Sequence, residues 1–319
     1  MTDKMNFYGK KKIPFFFLID FEMQKPEVWT LDEMKKSGIC FDFNGIKNDF
    51  ELLDFPSHPF SFQKYPIPYD RYLNSFQEVQ KSLAMGESYL VNLTFKTLIE
   101  TSLSLKEIFY RSRAKYKLFY PGRFLVFSPE TFVRIEKETI FTYPMKGTID
   151  ASLPDAYQII INDPKEKAEH VTIVDLLRND LAKVSGNVSV VRFRYIEKIK
   201  THEKEILQVS SEIKGTLRPG YHERIGSLIY DLLPAGSVSG APKQKTLEII
   251  RGTEEDERGF YTGIAGFFDG NNLESAVLIR FIEENNKKLF FRSGGGITLD
   301  SDPEKEYQEL KDKVYVPIA

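Results

Sequence analysis

Residues 124–148 read FLVFSPETFVRIEKETIFTYPMKGT, and this stretch decides the class of fold that the chain can adopt. Three short apolar runs, at 124–127, 132–135 and 139–143, are typical of β-strands. The pair Lys137-Glu138 between the last two runs predicts a hairpin connection. Strands that are joined by hairpins pair antiparallel, so the stretch favours antiparallel sheets over the parallel sheet of a doubly wound fold.

The rest of the chain alternates further strand-like runs with helical patterns, which predicts an α+β fold. Helices are predicted over 69–85 with Gly86 as a C-cap, over 164–184 with Asp163 as the N-cap, and over 222–233. Two more are predicted to begin near Pro242 and at Asp302-Pro303. The predicted strands are 89–95, 188–199, 206–216, 261–268, 275–283 and 288–292.

Composition excludes several classes of protein. The net charge of −2 gives no indication of nucleic-acid binding, and the single cysteine, Cys40, excludes a disulfide framework and a cysteine-rich metal site within the chain. The apolar run 13–19 ends at Asp20 without a cleavage site, so it predicts a buried strand and not a signal peptide. We expect a cytoplasmic protein without a membrane partner, in which a short β-rich segment, residues 1–68, packs on a core domain of residues 69–319.

A pair of residues and a set of three could carry chemistry. Glu130 lies in a turn and Lys146 directly precedes Gly147; a lysine that attacks carbon and a carboxyl that handles a proton form a workable pair for covalent catalysis. On the last predicted helix, Glu306, Glu309 and Lys313 fall within about 60° of one another. Taken alone, Glu309 and Lys313 are typical of a surface ion pair, but glycines 294–296 are predicted to lead into this helix and to bring bare backbone close to a ligand.

Six stretches, in this order, resemble the chorismate-utilising enzymes. They are 128–132, 144–148, Glu169-His170 with 175–180, 234–243, 258–263, and 294–303 running on to Lys313. The resemblance spans about 69–313 and implies large antiparallel β-sheets that pack together, with helices outside and the site in a cleft between the sheets. It also implies chorismate as the substrate and Mg²⁺ as the cofactor, an ion that prefers oxygen ligands.

The resemblance assigns roles to individual residues. Glu169 and Glu309 would bind Mg²⁺, with Glu306 outside the direct coordination sphere, and Lys313 would meet a substrate carboxylate. The other residues expected to contact substrate are Ser237, Gly240, Tyr261, Arg280, Gly295 and Gly296. Of these, Tyr261 and Arg280 would hold the enolpyruvyl carboxylate. Asp175, Arg178 and Asn179 are interpreted as structural residues that pack on neighbouring loops.

Two positions separate the branches of the family. Lys146 stands where anthranilate synthases usually have alanine and where aminodeoxychorismate synthases have lysine. Leu90 stands where isochorismate and salicylate synthases carry a lysine that activates water. Many relatives have glutamine at that position, and most have a histidine where this chain has Gln208. The pattern therefore favours component I of aminodeoxychorismate synthase.

In that branch the lysine amine attacks ring C2, Glu130 assists at the C4 oxygen, and ammonia then replaces the lysine at C4. An amine attacks only when it is unprotonated, so we expect the site to lower the pKa of Lys146 or to pass its proton to Glu130. Ammonia would come from solution or from a glutamine amidotransferase subunit (component II). Anthranilate synthase component I and a non-catalytic chorismate-binding paralogue remain the alternatives.

Overall fold

Two antiparallel sheets form the centre of the molecule. The computed structural model describes residues 1–48, 55, 58–200 and 205–318, and each sheet has nine strands over this part of the chain. From one edge to the other, the first sheet contains β11 (Met145–Asp150), β13 (Glu205–Thr216), β10 (Thr139–Thr142), β9 (Thr131–Glu136), β16 (Leu273–Val277), β15 (Ile264–Phe268), β1 (Phe15–Ile19) and β2 (Glu27–Thr30), and β12 (Gly186–Lys200) also pairs with β13.

The second sheet continues the same antiparallel pattern. Its strand order is β14 (Gly240–Ala241), β6 (Leu90–Thr101), β18 (Lys288–Ile297), β17 (Phe281–Asn285), β8 (Phe124–Ser128), β7 (Tyr116–Tyr120), β3 (Cys40–Phe43) and β4 (Ile46–Lys47), and β5 (Phe62–Tyr65) pairs with the other part of β6. Residues 1–68 thus supply strands to both sheets, and the predicted boundary at 68/69 falls between β5 and the next helix.

The helices lie on the outer faces of the two sheets. They are α1 (Thr2–Lys10), α2 (Leu31–Ser37), α3 (Tyr69–Ala84), α4 (Leu105–Arg111), α5 (Ala156–Asn162), α6 (Pro164–Val184), α7 (Ile225–Asp231), α8 (Gly236–Ser239), α9 (Lys243–Thr253) and α10 (Pro303–Asp312). The start signals of α6 and α10 are confirmed, because Asp163 and Asp302 accept hydrogen bonds from the backbone amides three residues on, each at 2.9 Å. None of the helices in the described ranges is long and apolar enough to span a membrane.

Strand β1 shows how the layers are packed. All five of its side chains are buried, which confirms the strand predicted from the apolar run. Because successive strand residues face opposite sides, Phe16 and Leu18 enter the core between the two sheets, whereas Phe15, Phe17 and Ile19 enter the core beneath α6 and α7. The predicted α+β fold, with packed antiparallel sheets and helices outside, is therefore confirmed.

Two neighbouring segments carry the chain from one sheet to the other. Residues 129–130 join β8 of the second sheet to β9 of the first, and residues 278–280 join β16 of the first to β17 of the second. The two crossings are held together, since the Phe127 amide donates to the Arg280 carbonyl and the Val277 amide to the Glu130 carbonyl. The single strand predicted over 275–283 is therefore wrong; Arg280 breaks it with a φ of +54°.

Three other predictions need correction. The glycines 294–296 do not lead directly into α10; they lie within β18, where Gly295 and Gly296 pair with Leu93 and Asn92 of β6. The start of the chain is not only strands and loops, because α2 begins there with a capping box from Thr30 and Glu33. Asp175, Arg178 and Asn179 do not pack on neighbouring loops; they are exposed on α6 and bond to one another.

A buried ion pair ties the second sheet to the loop after α7. Arg258 is 2% exposed, and its guanidinium donates to both carboxylate oxygens of Glu254 at 2.9 and 2.6 Å. It also donates to the carbonyls of Val238, at 2.8 Å, and Asn92, at 2.5 Å. Since no water reaches these groups, the loss of the guanidinium leaves a carboxylate and two carbonyls without these bonds.

We predict that Arg258→Met lowers the free energy of unfolding by about 3–5 kcal/mol, measured by chemical denaturation. Arg178→Met is the matched control: Arg178 also pairs with a carboxylate, that of Asp175, but on the exposed surface of α6, where such a pair contributes about 0–1 kcal/mol. If both variants lose the same free energy of unfolding, the buried pair contributes no more to stability than the exposed one.

Candidate active site

Lys146 and Glu169, which are 23 residues apart in sequence, meet in the structure. Lys146 lies on the edge strand β11, and Nζ donates to Oε2 of Glu169 on α6 at 2.8 Å. The register of β11 against β13 shifts between Lys146 and Thr148, where Gly147 has a φ of +76°. Such a bulge changes the direction of a side chain relative to the regular strand. The side chain of Lys146, next to this bulge, points toward α6.

The charge environment of Lys146 differs from the expectation. Burial lowers the pKa of this amine, but the carboxylates of Glu169, Glu309 and Glu166 together outweigh burial, so the pKa of Lys146 is raised. The site as it stands therefore holds Lys146 as an ammonium ion. Of the two alternatives predicted, a lowered pKa of Lys146 does not hold in this structure, and transfer of its proton to Glu130 stays a prediction.

The C-terminal helix brings its three predicted residues to Gly295. The Lys313 ammonium lies 2.5 Å from Oε1 of Glu309 and donates to the Gly294 carbonyl at 2.8 Å. A Cβ placed on Gly295 would lie 3.4 Å from Oε2 of Glu306 and 3.9 Å from both Glu309 Oε1 and Lys313 Nζ. A Cβ at this position would therefore be in ordinary van der Waals contact with the polar face of α10.

Gly296 faces the other way, as the next residue of a strand must. A Cβ on Gly296 would lie 3.3 Å from Nζ of Lys146 and 2.9 Å from Cδ1 of Leu90. The two glycines thus leave bare backbone between the α10 carboxylates and Lys146, and the carboxylate of Glu309 contributes to the raised pKa of Lys146. The structure brings these residues, which were predicted from separate motifs, to one cleft.

The two chain crossings place a carboxyl and a guanidinium in the same cleft. Glu130 accepts a hydrogen bond from the Ser237 hydroxyl, and burial raises its pKa, partly offset by Ser237, Arg280, Lys146 and Lys313. The buried Nε of Arg280 has no hydrogen-bond partner among the residues that the structure describes. A buried guanidinium nitrogen without a partner is the kind of group that an anionic ligand would satisfy.

Tyr261 lies in the core between the sheets, at the edge of this cleft. It is 3% exposed, and burial raises its pKa to about 12, with Arg258, Glu254 and Arg280 among the charges that act on it. Its ring packs edge-on against Phe281, the residue after Arg280. Tyr261 and Arg280 are therefore neighbours, as the resemblance implied.

The loop 234–243 closes one side of the cleft. Gly240 has a φ of +135°, and a Cβ there would lie 1.9 Å from the Leu90 carbonyl oxygen, so this position requires glycine. Lys243, at the end of the loop, pairs with the buried carboxylate of Asp180 on α6 at 2.6 Å and donates to the Leu232 carbonyl at 2.9 Å. The helix that carries Glu169 is thereby joined to the loop that carries Ser237.

Three residues near the site were not assigned a role there from the sequence. Glu166 lies in the first turn of α6, where its carboxylate would lie 2.8 Å from a Cβ on Gly147, and its charge raises the pKa of Lys146. The spacing of Glu166 and Glu169, three residues apart on α6, could have indicated a shared face. Asp180 and His170 are buried as well, and only tertiary packing reveals their partners, Lys243 and Ser211.

The donor set suits Mg²⁺ in chemistry, although the ligands do not form a ready-made cluster. Glu169, Glu306 and Glu309 offer the carboxylate oxygens that this ion prefers, and the glycine backbone leaves room beside them. Within the described ranges, however, no three His, Cys, Asp or Glu side chains are close enough together to hold a metal ion. Glu169 and Glu309 are instead each paired with a lysine.

Comparison with known proteins identifies similar sequences and folds. Residues 30–319 match the sequence profile of the chorismate binding enzymes. The chain is 52% identical to an uncharacterized PabA-like protein of Pasteurella multocida, over 98% of this chain and 97% of that protein. It is 32% identical to aminodeoxychorismate synthase component 1 of Bacillus subtilis, over 78% of this chain and 55% of that protein. The structure of anthranilate synthase component I from Streptococcus pneumoniae matches with a TM-score of 0.68 at 25% identity, over 84% of this chain and 60% of that one.

His170 supplies a test of the packing behind Lys146. Its side chain is fully buried, Nε2 lies 2.7 Å from the Ser211 hydroxyl, and burial, with the charges of Arg194 and Lys146, lowers its pKa to about 4. The unfolded chain binds this proton near pH 6.5, so between pH 6.5 and 4 it holds more protons than the folded protein. The contribution of neutral His170 to stability is complete above that range and is lost as the pH falls through it.

We predict that this loss amounts to about 3 kcal/mol between pH 6.5 and 4 and that His170→Asn removes it. Urea denaturation of both proteins across this pH range measures the difference, and other acid-titrating groups cancel in the comparison. Identical slopes for the two proteins would show that His170 is not held neutral by the fold.

Proposed function

Because the chain belongs to the family of chorismate-binding enzymes, we propose that it acts as component I of an aminodeoxychorismate synthase. In this role it converts chorismate and ammonia to 4-amino-4-deoxychorismate, the precursor of 4-aminobenzoate. The observation that carries the proposal is the position of Lys146, whose amine enters a cleft between Glu169 and Gly296. The similarity to aminodeoxychorismate synthase component 1 of Bacillus subtilis supports it.

The substrate would be held by its two carboxylates. Arg280, with its unsatisfied Nε, and the neighbouring Tyr261 suit the enolpyruvyl carboxylate. Lys313 suits the ring carboxylate, because its ammonium group lies in the cleft beside Gly295. Gly295 and Gly296 leave space for a flat ring against the strand backbone. Binding at both ends would hold the ring between Lys146 and Glu130.

The chemistry requires one nucleophile and one proton donor. The amine of Lys146 forms a bond to ring C2, both ring double bonds shift by one position, and the C4–oxygen bond breaks. Glu130, whose pKa is raised, gives a proton to the departing oxygen, which leaves as water. Ammonia then bonds to C4, both double bonds shift back, and the bond between C2 and Lys146 breaks. Glu130 can recover a proton from the incoming ammonia.

Glu169 and Glu309, with Glu306 nearby, are the residues that would hold Mg²⁺. When bound, this ion supplies positive charge that neutralises the ring carboxylate. Glu306 is positioned for a supporting role, since it is 9% exposed and accepts a hydrogen bond from Ser301 at 2.8 Å. Two ligating carboxylates with bound water match the usual coordination of Mg²⁺ in enzymes.

Anthranilate synthase component I is the second candidate. It is supported by the match to the Streptococcus pneumoniae structure, whose fold and 25% identity extend over most of this chain. Lys146 speaks against it, because a nucleophile at this position directs ammonia to C4, whereas anthranilate requires nitrogen at C2. The identity of the product therefore separates the two candidates.

We predict that the purified chain, with chorismate, Mg²⁺ and ammonium, forms 4-amino-4-deoxychorismate, detected by mass spectrometry. Fluorescent anthranilate should be absent. Glutamine should not replace ammonium until an amidotransferase subunit is added, because Cys40 lacks the setting of a glutaminase nucleophile. Anthranilate as the main product would establish the second candidate, and no turnover with any nitrogen source would point to a non-catalytic paralogue.

Lys146 supplies a separate prediction. Without ammonia, the enzyme should accumulate an adduct at Lys146 with the mass of chorismate less one water, located by peptide mapping. Lys146→Ala should lose the adduct and most of the rate, since the variant has no amine to attack C2. Lys245→Ala, which removes a partly exposed lysine of α9 that pairs with Glu248, is the control and should retain both. Formation of the product by Lys146→Ala at the wild-type rate would show that the lysine is a bystander.

A further inference from the structure

Each of the two carboxylates assigned to the metal already has a cationic partner. Glu169 accepts from Lys146 at 2.8 Å, and Glu309 lies 2.5 Å from Lys313. Neither lysine is a remote surface group: their side chains are 24% and 25% exposed and border the adjacent glycines Gly296 and Gly295. Lys146 and Lys313, which would act on the substrate, are therefore also the residues that pair with the two carboxylates.

We propose that Lys146 and Lys313 are exchangeable counter-ions of the metal site. In the free protein their ammonium groups neutralise Glu169 and Glu309; a divalent cation displaces them and thereby releases both lysines toward the substrate. This inference rests on the proposed function, because it takes Glu169 and Glu309 as the metal ligands and Lys146 and Lys313 as the groups that meet chorismate.

Charge balance in the cleft is the physical reason for the exchange. A carboxylate that is largely removed from water must be compensated by a nearby positive charge. The side chain of Glu169 is only 13% exposed, so in the free protein this carboxylate depends on Lys146; that of Glu309 is 53% exposed and depends less on Lys313. An ammonium ion and a divalent cation on the same carboxylate repel each other, so binding of one weakens binding of the other, and the effect is reciprocal.

The cleft contains a comparable pair that should not exchange. Lys243 and Asp180 are 2.6 Å apart, and their side chains are 13% and 6% exposed. Lys243 also donates to the Leu232 carbonyl, and Asp180 is further paired with Lys183 at 2.8 Å. This pair joins α6 to the loop 234–243, and neither residue is among the assigned metal ligands. Lys243 is therefore a matched control for the general effect of losing a buried positive charge near the site.

The exchange predicts that the free protein binds divalent cations weakly and that removal of either lysine strengthens binding. Mn²⁺ is the probe, and its free concentration is measured by electron paramagnetic resonance without chorismate or ammonia, so that no turnover is needed. Lys146→Met and Lys313→Met should each lower the Kd for Mn²⁺ by at least about tenfold, equivalent to about 1.4 kcal/mol. Lys146→Arg, which keeps the charge, and Lys243→Met should stay within about threefold of the wild type.

The wild-type protein provides a measurement that does not depend on the folding of a variant. Acetic anhydride labelling of Lys146, quantified by peptide mass relative to Lys183, should rise severalfold when Mn²⁺ is added. Three results would overturn the exchange. They are unchanged labelling of Lys146, equal Mn²⁺ affinity in the wild type and both methionine variants, and an equal increase in Mn²⁺ affinity in Lys243→Met. If the exchange fails while the wild type still forms aminodeoxychorismate, the proposed function stands; if the variants bind Mn²⁺ tightly but no product forms, only the function is wrong.

Discussion

The active cleft depends on one constraint: two adjacent segments of chain must leave one sheet and enter the other side by side. Phe127 bonds to Arg280 and Val277 to Glu130 across these segments, so neither can move alone. At the crossing the regular strand ladder is interrupted, and side chains can point between the sheets instead of across them. The carboxyl group of Glu130 and the guanidinium group of Arg280 occupy these positions. The opening that this creates is the space that a dianionic ring would fill.

Around that crossing, buried charges fall into two groups. Arg258 with Glu254 and Lys243 with Asp180 make further hydrogen bonds to backbone carbonyls or side chains, which fix their geometry and join separate elements of the fold. The pairs at Glu169 and Glu309 face bare glycine backbone, where a ligand has room to compete for them, although Lys313 also donates to the Gly294 carbonyl. Asp180, Glu254 and Glu169 obey the same rule, that a desolvated carboxylate needs a cation, whereas the side chain of Glu309 is 53% exposed; only the pairs beside the glycines leave space for the partner to change.

Lys146 has a raised pKa, but the proposed attack needs an unprotonated amine. The distinction between fixed and replaceable ion pairs reconciles the two. A lysine paired with Glu169 is stable as an ammonium ion, which protects it from unwanted reactions while the cleft is empty. Loss of that partner removes the largest of the influences that raise the pKa of Lys146, while burial continues to lower it. Leu90, next to Gly296, is an apolar side chain in place of a group that could activate water. Both features agree with the proposed attack by an amine.

The sequence by itself determined the elements and the family. Strand periodicity, the capping residues Asp163 and Asp302, and six ordered motifs depend on local chemistry, so they could be predicted without a structure. Tertiary structure alone decided that the run 275–283 divides between two sheets, that glycines 294–296 lie inside a strand, and that Glu166 faces Lys146. Apolar periodicity is the same on either side of a sheet crossing, and a lysine's pKa depends on which carboxylates the fold brings near it. Such contacts between distant parts of the chain leave no local signal to read.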